Sequence, residues 1–419
     1  MSSQRLEIGL DPHTARRLRA RAAAQGARLE DVARHELAAW LGDWGSRFVA
    51  HTVCAGETLT GLARRYYGDV AWAPVIAAYN GLAGELADRI AVGQVILLPE
   101  LGDLPALPSG ESPYIFGLHD RGGEHYMGWA GRKGWVVISE RLGARPDDWS
   151  SASYRDLADD GYGVIVRLNH GYGHEGTLPV SGAYQAFAAR CGNYVERSSG
   201  CHIWIIGNEV NMAWERPGGP EHGEVITPRL YAEAYRLCRD EIRRRPGHAD
   251  DQVVMAPVAP WNVQTVYPGN PAGDWIIYFQ HLLELLDGHC DGIALHTYAR
   301  DPAPGSVTSE ARMGAPFEHR RSAFRTYIDY MEAVPTHLRH LPVYITETDQ
   351  NQPWRDDATG WVQAAYAEID RWNSDPARQK IRCLALYRWE RHDQWHIQGK
   401  TGVIDDLRQA LRYDYRWRP

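Results

Sequence analysis

Two glutamates stand at matching places in two apolar segments of the chain. Residues 203–207 are apolar or glycine and are followed at once by Asn208 and Glu209, and residues 341–346 lead in the same way to Glu347. An apolar run that stops abruptly at polar groups predicts a buried strand with those groups at its carboxyl end. In a barrel of parallel strands all carboxyl ends face the same way, so residues distant in sequence can converge there.

Two converging carboxyl groups suit the cleavage of a glycosidic bond. One protonated carboxyl group can donate to the leaving oxygen while an ionised one attacks the anomeric carbon, and a separation of about 5–5.5 Å allows a covalent glycosyl-enzyme. The two groups then need environments that drive their pKa values apart. The alternative is that Glu209 and Glu347 are strand-end carboxylates held in structural ion pairs.

The elements that must position these groups are eight apolar runs that alternate with polar, helix-compatible stretches. Strand and helix alternating eight times predict an α/β protein with a (β/α)₈ barrel, the TIM barrel fold. A doubly wound open sheet is the main rival, but it would more often have fewer strands and a glycine-rich phosphate turn after the first. The runs are 114–118, 135–139, 164–168, 203–207, 253–258, 292–295, 343–346 and 383–387, with helices expected at 184–195, 227–245, 275–286, 319–331 and 360–373.

Every predicted strand ends in residues that can bind or react, whereas a core strand more often ends in a simple turn. The pattern therefore predicts a site at the carboxyl end of the barrel. In strand order the residues are His119 and Asp120, Glu140, Arg167 with Asn169 and His170, Asn208 with Glu209, Trp261 with Asn262, His296 with Tyr298, Glu347 with Asp349, and Arg388 with Trp389.

The Gly-Asn-Glu sequence closing the fourth strand and the Thr-Glu sequence closing the seventh resemble the paired signature of the retaining glycoside hydrolases of clan A. His296, Tyr298 and Trp389 fit the same plan, and the resemblance covers residues 114–405. It implies that Glu209 is the acid/base and that Glu347 is the nucleophile. One departure is that the arginine often found near the second strand of clan members follows the third strand here, as Arg167.

The resemblance also implies a set of substrate-binding residues. Asn208 would donate to the sugar 2-hydroxyl, where hydrogen bonds strengthen in the transition state. Donors such as Arg167 and Tyr298 would hold Glu347 ionised, and His296 would support the acid/base. Apolar platforms for sugar faces are expected from Trp389 and Trp261. Asn262 and His119 complete the predicted set.

Residues 47–100 form a smaller predicted module with the order strand, helix, helix, strand. Gly56-Glu57-Thr58 forms a turn into the first helix, Gly68-Asp69 breaks it, Asn80-Gly81 ends the second, and the last strand stops at Pro99. The segment resembles a LysM module over its whole length. That resemblance implies binding of glycans containing N-acetylglucosamine, with Gly56, Thr58 and the loop near Asn80 as candidate contacts. A module this small can also serve only for assembly or spacing.

The remaining parts are an amino-terminal module and a linker. Residues 1–46 have the order strand, helix, helix and resemble a ribbon-helix-helix module, which implies a homodimer more than sequence-specific DNA binding. Residues 101–112 include two prolines and two glycines and are predicted to be a linker, so that the barrel spans 113–419.

The charge and composition of the chain limit the classes of binding partner that are expected. The net charge of −8 argues against a general nucleic-acid or membrane-surface binder. The first residues lack the pattern of a secretory signal, and no apolar stretch approaches the length of a membrane helix, so synthesis in the cytoplasm is expected, with release or export by a non-standard route if the glycan lies outside. The six cysteines are expected to be reduced thiols.

Other chemistries are disfavoured by the sequence. The His170 and His174 spacing has no evident third zinc ligand, the Gly-Lys-Thr sequence at 399–401 lacks the first glycine of a phosphate loop, and no Gly-x-Ser-x-Gly turn exists. No metal and no cofactor is therefore predicted. The sequence predicts a retaining glycosidase acting on a polysaccharide, with peptidoglycan or another cell-envelope glycan as the economical substrate. The rivals are a non-catalytic glycan-binding or scaffold protein that retains the barrel, and a DNA-linked regulator built on the amino-terminal module.

Overall fold

The structure is a computed structural model that describes residues 48–54, 57–67, 73, 76–77, 80, 82, 90–99 and 111–417. The chain divides into two compact units, Met1–Ala106 with Pro419, and Leu107–Arg418. The predicted ribbon-helix-helix segment and most of the predicted linker lie outside the described residues. Within the described ranges, no helix combines the length and apolar character needed to cross a membrane.

The smaller unit contains an antiparallel strand pair and a helix. Strand β1 (Phe48–Thr52) pairs with β2 (Val95–Pro99), and helix α1 (Leu59–Tyr67) lies between them in sequence. The predicted second helix lies largely outside the described residues. Apolar side chains form the core of this unit because the short sheet and α1 each have one apolar face. These are Val53, Leu59, Leu62, Ala63, Ile76, Ala77, Ile96 and Leu98.

The larger unit is a closed barrel of eight parallel strands, which confirms the predicted (β/α)₈ fold. The strands follow one another around the barrel in chain order, and the last pairs with the first. The fourth and seventh barrel strands, β6 and β9, are the two that the sequence analysis singled out. The strands are β3 (Phe116–His119), β4 (Trp135–Arg141), β5 (Gly163–Asn169), β6 (Ile203–Ile206), β7 (Gln252–Met255), β8 (Ile293–His296), β9 (Val343–Thr348) and β10 (Ile381–Leu386).

Side chains alternate between the inside of the barrel and the surrounding helices because successive residues of a strand point to opposite faces. On β4, Trp135 and Val137 belong to the buried cluster that fills the barrel, whereas Val136 packs in the layer under the helices. The Trp135 ring needs space beside it, and Gly163 on β5 provides that space. A Cβ atom at Gly163 would lie 2.4 Å from the Trp135 ring.

Helices cover the outside of the barrel with one apolar face each. In α6 (Pro228–Arg243) the buried residues Tyr231, Tyr235, Cys238 and Ile242 recur at helical spacing. The other helices of the unit are α2 (His125–Trp129), α3 (Arg155–Asp159), α4 (Tyr184–Arg197), α5 (Gly219–His222), α7 (Trp275–Leu285), α8 (Thr326–Ala333), α9 (Trp361–Asn373) and α10 (Thr401–Ala410).

One predicted helix begins later than expected. The sequence pattern predicts a helix from residue 319, but α8 starts at Thr326. Residues 311–322 instead form a hairpin-like loop in which Arg312 pairs antiparallel with Arg321. The Met313 and Ser322 amides donate to the Arg320 and Ala311 carbonyl groups in this loop. A local periodic pattern cannot reveal such pairing with residues earlier in the chain.

Candidate active site

The two predicted catalytic glutamates meet at the carboxyl end of the barrel. β6 ends at Ile206, and the chain continues through Gly207 to Glu209, whose backbone φ is 37°. Glu347 lies in β9 and pairs with His296 of β8 at a register shift. A positive φ is uncommon for a residue with a side chain, and backbone strain of this kind is concentrated at functional sites.

Tyr298 is the side chain that links the two carboxyl groups. Its hydroxyl oxygen lies 3.2 Å from Glu209 Oε1 and 3.1 Å from Glu347 Oε2. These two carboxylate oxygens are therefore separated by no more than the sum of 3.2 Å and 3.1 Å, about 6.3 Å. Burial raises the pKa of Tyr298 well above its usual value, and the charges of Glu209 and Glu347 raise it further. The hydroxyl therefore stays protonated and donates a hydrogen bond to one of the two carboxyl groups.

Arg167, on the third barrel strand, holds Glu347 in place. Its side chain is buried, and its Nη2 atom donates to Glu347 Oε1 at 2.6 Å. Its Nη1 atom donates to the Asn208 side-chain oxygen, so one guanidinium connects the nucleophile candidate to the residue beside the acid/base candidate. Burial alone would raise the pKa of Glu347, but His296, Arg167 and His119 together outweigh burial and lower it. Glu347 is therefore ionised at neutral pH.

His296 supports Glu209 from inside the barrel. Its Nδ1 atom lies 2.8 Å from Glu209 Oε1, and its Nε2 atom lies 3.4 Å from Arg167 Nη1. Because a guanidinium can only donate, Nε2 accepts and the ring proton belongs on Nδ1. The imidazole therefore donates to Glu209 and fixes one oxygen of its carboxyl group.

His119, predicted to bind substrate, borders the cavity and is held between a carboxylate and Arg167. Its Nδ1 atom lies 2.9 Å from Asp120 Oδ1, and Arg167 Nη2 donates to its Nε2 atom at 2.9 Å. Burial lowers the pKa of His119, so the ring is neutral with its proton on Nδ1. Arg388 completes this chain because it donates to both oxygens of Asp120, at 2.6 and 3.0 Å.

A cavity of about 1290 Å³ opens above the two glutamates. Two further carboxyl groups border it and are held in the protonated form. Burial, followed by the charge of Glu209, raises the pKa of Glu215 to about 8, and burial raises the pKa of Asp349 well above its usual value. Aromatic side chains also border the cavity, as expected for a site that takes sugar rings. They are Tyr154, Tyr172, Trp261, Tyr298, Tyr387 and Trp395.

The predicted residues from the fifth strand lie at the cavity but are partly engaged elsewhere. The Trp261 indole donates to the Arg321 carbonyl group at 3.0 Å, and the Arg300 guanidinium lies 4.1 Å from the Trp261 ring centre. One face of the predicted platform is therefore occupied. Asn262 donates to the Gln264 side chain and accepts from the Gln264 backbone amide, both at 3.0 Å.

The predicted platform Trp389 lies in the wall of the barrel mouth and is not among the residues that border the cavity. It is only 5% exposed, because its ring packs against the glycine pair after β3, where a Cβ on Gly123 would lie 2.4 Å from it. Tyr387, which directly follows β10, borders the cavity instead. Its place as the last residue of the predicted strand 383–387 is the signal that could have identified it.

Glu215 is a second residue that sequence reasoning missed. It comes from a short 3₁₀ segment, Ala213–Glu215, in the loop after β6. This loop is held by Thr177, whose hydroxyl donates to the Asn208 carbonyl group at 2.9 Å and whose amide donates to the Glu215 carbonyl group at 3.0 Å. No periodic pattern or motif in the sequence marks such a loop contact.

The predicted glycan contacts of the smaller unit are placed only in part. Gly56 lies outside the described residues. Thr58 is exposed, and its hydroxyl accepts from the Gly61 amide at 3.0 Å at the start of α1. The Asn80 side chain is used within the fold, since it donates to the Ile76 and Leu97 carbonyl groups and accepts from the Leu97 amide.

Potential metal ligands come together elsewhere in the described part of the chain. His202, His248 and Asp251 lie at the amino ends of β6 and β7, opposite the cavity. Both histidine Nδ1 atoms lie 2.7 Å from Asp251, which also accepts from the Trp204 indole at 2.6 Å. These contacts satisfy the buried carboxylate and tie together the loops before β6 and β7. His170, which was weighed above as a zinc ligand together with His174, has its Nδ1 atom 3.0 Å from the Glu175 carbonyl oxygen.

Comparison with known proteins gives a short sequence match and several similar folds. No family model matches the chain. A stretch of 51 residues is 49% identical to Esterase Rv1288 of Mycobacterium tuberculosis strain H37Rv, and equally to Esterase MT1326 of strain CDC 1551. The match covers 12% of this chain and only 11% of either relative.

Similar solved structures include three glycoside hydrolases. One is a GH128 subgroup I endo-β-1,3-glucanase of Amycolatopsis mediterranei with laminaritriose, at 14% identity over 70% of this chain and 99% of that one, with a TM-score of 0.37. The endoglucanase Cel5A of Pseudomonas stutzeri with cellobiose has 14% identity over 72% and 94% and a TM-score of 0.41. The GH5_18 protein of Streptomyces cattleya with GlcNAc has 14% identity over 73% and 82% and a TM-score of 0.42. At these identities and scores, any argument about activity has to come from the site itself.

Proposed function

We propose that the chain is a retaining glycoside hydrolase that cleaves a polysaccharide by double displacement, with Glu209 as acid/base and Glu347 as nucleophile. The observation that carries this proposal is the shared contact of Tyr298, which keeps one oxygen of each carboxyl group within about 6.3 Å of the other. Retaining enzymes have carboxyl groups about 5–5.5 Å apart, whereas inverting enzymes need about 6.5–9.5 Å to admit a water molecule.

The different surroundings of the two glutamates support their different roles. Glu347 is ionised and faces the buried Arg167, as a nucleophile requires. Glu209 has no arginine partner among the described residues, and its Oε1 atom contacts His296 Nδ1 and the Tyr298 hydroxyl. A carboxyl group without an arginine partner can carry the proton that the leaving oxygen needs.

In the first step Glu347 attacks the anomeric carbon as the bond to the leaving oxygen breaks, and Glu209 donates its proton to that oxygen. The product is a glycosyl ester of Glu347 and a shortened chain with a free hydroxyl group. In the second step a water oxygen attacks the anomeric carbon, Glu209 takes the water proton, and Glu347 leaves as a carboxylate. Arg167 and Tyr298 stabilise that carboxylate because each donates to one of its oxygens.

The neighbouring residues position the sugar and the nucleophile. Asn208 is oriented by Arg167, which donates to its side-chain oxygen, so that its amide nitrogen is the group that would donate to the sugar 2-hydroxyl. The Arg167 side chain is also held in place by His119, which accepts from it and is itself bonded to Asp120. Arg388 in turn donates to Asp120. The cavity volume exceeds the roughly 300–1,000 Å³ of sites for single small ligands, which supports a substrate of several sugar units.

The smaller unit would hold the enzyme against its polymer. If residues 47–100 bind N-acetylglucosamine, as their resemblance to a LysM module implies, attachment raises the effective concentration of substrate at the barrel. A cell-envelope glycan would then be the polymer. The rival function, non-catalytic glycan binding, predicts that sugar affinity survives without hydrolysis.

Replacement of the two glutamates tests the proposal. Glu209→Gln and Glu347→Ala should each lower kcat against a glycan panel by about 100-fold to 10,000-fold, the range expected for loss of a positioned catalytic group. Azide should restore turnover in Glu347→Ala, because a small anion can fill the space of the lost nucleophile. Proton NMR of the first product should show the anomeric configuration of the substrate. Undiminished hydrolysis in both variants would refute the assignment, and an inverted product would refute the double displacement.

A further inference from the structure

Asn169 is a buried polar side chain at the cavity whose amide is not used by the fold. It is 1% exposed, yet it borders the cavity. Neither its Oδ1 nor its Nδ2 atom completes a hydrogen bond with any described atom. A buried amide without partners costs stability, so such a group in a folded protein requires an explanation.

The position of Asn169 points to the sugar that would react. Side chains two residues apart on a strand share a face, so Asn169 lies on the same inner face of β5 as Arg167, one layer nearer the mouth. Arg167, the deeper of the two residues, donates hydrogen bonds to both Glu347 and Asn208. The Asn169 amide therefore faces the region directly above the proposed reaction centre.

A tyrosine in the loop after β5 borders the cavity close to Asn169. Tyr172 borders the same cavity, is 50% exposed and stands between Gly171 and Gly173. Burial raises the pKa of the Tyr172 hydroxyl. The Arg167 charge opposes that effect, and so does the Asn169 amide, which approaches the hydroxyl without completing a hydrogen bond.

The charges around the cavity exclude one class of sugar. Eight acidic side chains and four arginines border it, and because Glu215 and Asp349 are protonated, at most six of the eight can repel an anion. Each of those four arginines already pairs with a carboxylate: Arg121 with Asp156, Arg141 with Glu175, Arg167 with Glu347, and Arg388 with Asp120. Arg167 and Arg388 are thus committed to buried carboxylates, whereas Arg121 and Arg141 form exposed pairs. A uronate or sulfate group would still meet more acidic than basic side chains in the described lining.

From the unpartnered amide and the paired arginines we infer that Asn169 binds ring hydroxyl groups of an uncharged sugar, so that the substrate is a neutral glycan. This inference rests on the proposed function for the place of the sugar. An amide offers one acceptor and two donor hydrogens, which match neighbouring ring hydroxyls that each donate and accept. The amide is then unpaired only until the glycan arrives.

The test combines a binding measurement with a stability measurement. In the Glu209→Gln background, which prevents turnover, calorimetry would compare hexasaccharides of β-1,3-linked glucose, β-1,4-linked N-acetylglucosamine and α-1,4-linked galacturonate. The tightest ligand should be one of the two uncharged probes, and the galacturonate probe should bind at least about tenfold more weakly. Adding Asn169→Leu should weaken binding of the uncharged probe by about tenfold to 100-fold, as expected for two lost hydrogen bonds.

The same substitution should not destabilise the protein. Asn169→Leu removes an unpaired buried amide, so Tm should rise by about 2–5 °C. The matched control is Asn373→Leu, because Asn373 is also buried but pairs with the Ile381 carbonyl and amide groups at 2.8 and 2.9 Å. Its Tm should fall.

Four results would overturn the inference: equal binding with and without Asn169, tightest binding of the galacturonate probe, no binding of either uncharged hexasaccharide, or a Tm that falls with Asn169→Leu as it does with Asn373→Leu. The proposed function fails separately, if Glu209→Gln and Glu347→Ala leave hydrolysis intact. Weak binding by Asn169→Leu together with active glutamate variants would therefore leave the sugar contact standing and remove only the catalytic roles.

Discussion

The guanidinium of Arg167 joins the groups that the proposed reaction uses. It donates to Glu347 and to Asn208, contacts His119, and lies within 3.4 Å of His296. A planar fork with fixed donors can hold such partners at once, and a lysine ammonium cannot reproduce that arrangement. The hydrogen-bonding geometry of Arg167 and its positive charge therefore make separable contributions to the proposed activity.

Two substitutions separate them through the pH dependence of activity. Arg167 lowers the pKa of Glu347, which must be ionised to attack. Arg167→Met should therefore raise that pKa and move the acidic limb of the kcat/KM profile upward by about 1 to 2 pH units. Arg167→Lys keeps a positive charge but loses the fork, so it should lower kcat with much less movement of the limb. Identical acidic limbs in both variants would show that the charge of Arg167 does not set the pKa of Glu347.

The residues that sequence predicts well are those placed by a strand. Glu209, Glu347, Arg167 and His296 converge because the end of each barrel strand fixes where its side chains lie. Glu215 could not be predicted in this way because its position depends on how a loop folds back onto Thr177. The clan A resemblance predicted that Trp389 lines the cavity, but its ring packs in the wall against the glycines after β3.

At the scale of elements, the loop between β5 and α4 connects the third strand to the loop that carries Glu215. Thr177 makes this connection, and Gly176 precedes it with a φ of 73°. A Cβ on Gly176 would lie 2.3 Å from the Pro217 backbone nitrogen. Gly173 in the same loop also has a positive φ, 58°, but a Cβ there would have no neighbour within 4 Å.

These two glycines provide a matched pair of alanine substitutions. Gly173→Ala should cost about 1–2 kcal/mol, the strain of a side chain in the left-handed region. Gly176→Ala meets a backbone clash and, with φ 73° and ψ 155°, a conformation that only glycine adopts readily, so it should destabilise more and also displace Asn208 and Glu215 through Thr177. We expect a clearly lower Tm and at least a tenfold loss of kcat for Gly176→Ala alone. Equal effects of the two substitutions, measured by thermal unfolding and hydrolysis, would show that close packing at Pro217 is unimportant.

Strands and helices could be predicted where the spacing of apolar residues alone determines them. All eight barrel strands and the helix over 227–245 correspond to observed elements, because burial on both faces or on one face leaves a direct pattern in the sequence. The helix predicted from 319 begins later because Arg312 pairs with Arg321 across the loop. Such pairing depends on tertiary context that no single window of sequence contains.

At the scale of the whole molecule, the end of the barrel opposite the cavity is closed by the segment just before β3. Glu111 accepts from Arg382 with both carboxylate oxygens at 2.7 Å and from Gln252 at 2.8 Å. The chain end joins the same closure, since the Trp417 indole donates to the Ser112 carbonyl group at 2.6 Å. The predicted barrel boundary at residue 113 would cut off Glu111 and Ser112. Because both residues bond to the barrel, the barrel unit has to include residues 111–112.

Two fragments that differ only in this segment test where the catalytic unit begins. A fragment starting at Leu107 keeps Glu111 and Ser112 and should match the full chain in Tm and in kcat/KM on soluble oligosaccharides. A fragment starting at Ile115 leaves Arg382 and Gln252 without their carboxylate, and loss of such a partner costs about 3–5 kcal/mol when buried. Its Tm should therefore fall by roughly 5–15 °C. If the Leu107 fragment were inactive on soluble substrate, residues before 107 would have to contribute to catalysis, and the separation of a polymer-holding unit from a hydrolytic barrel would be wrong.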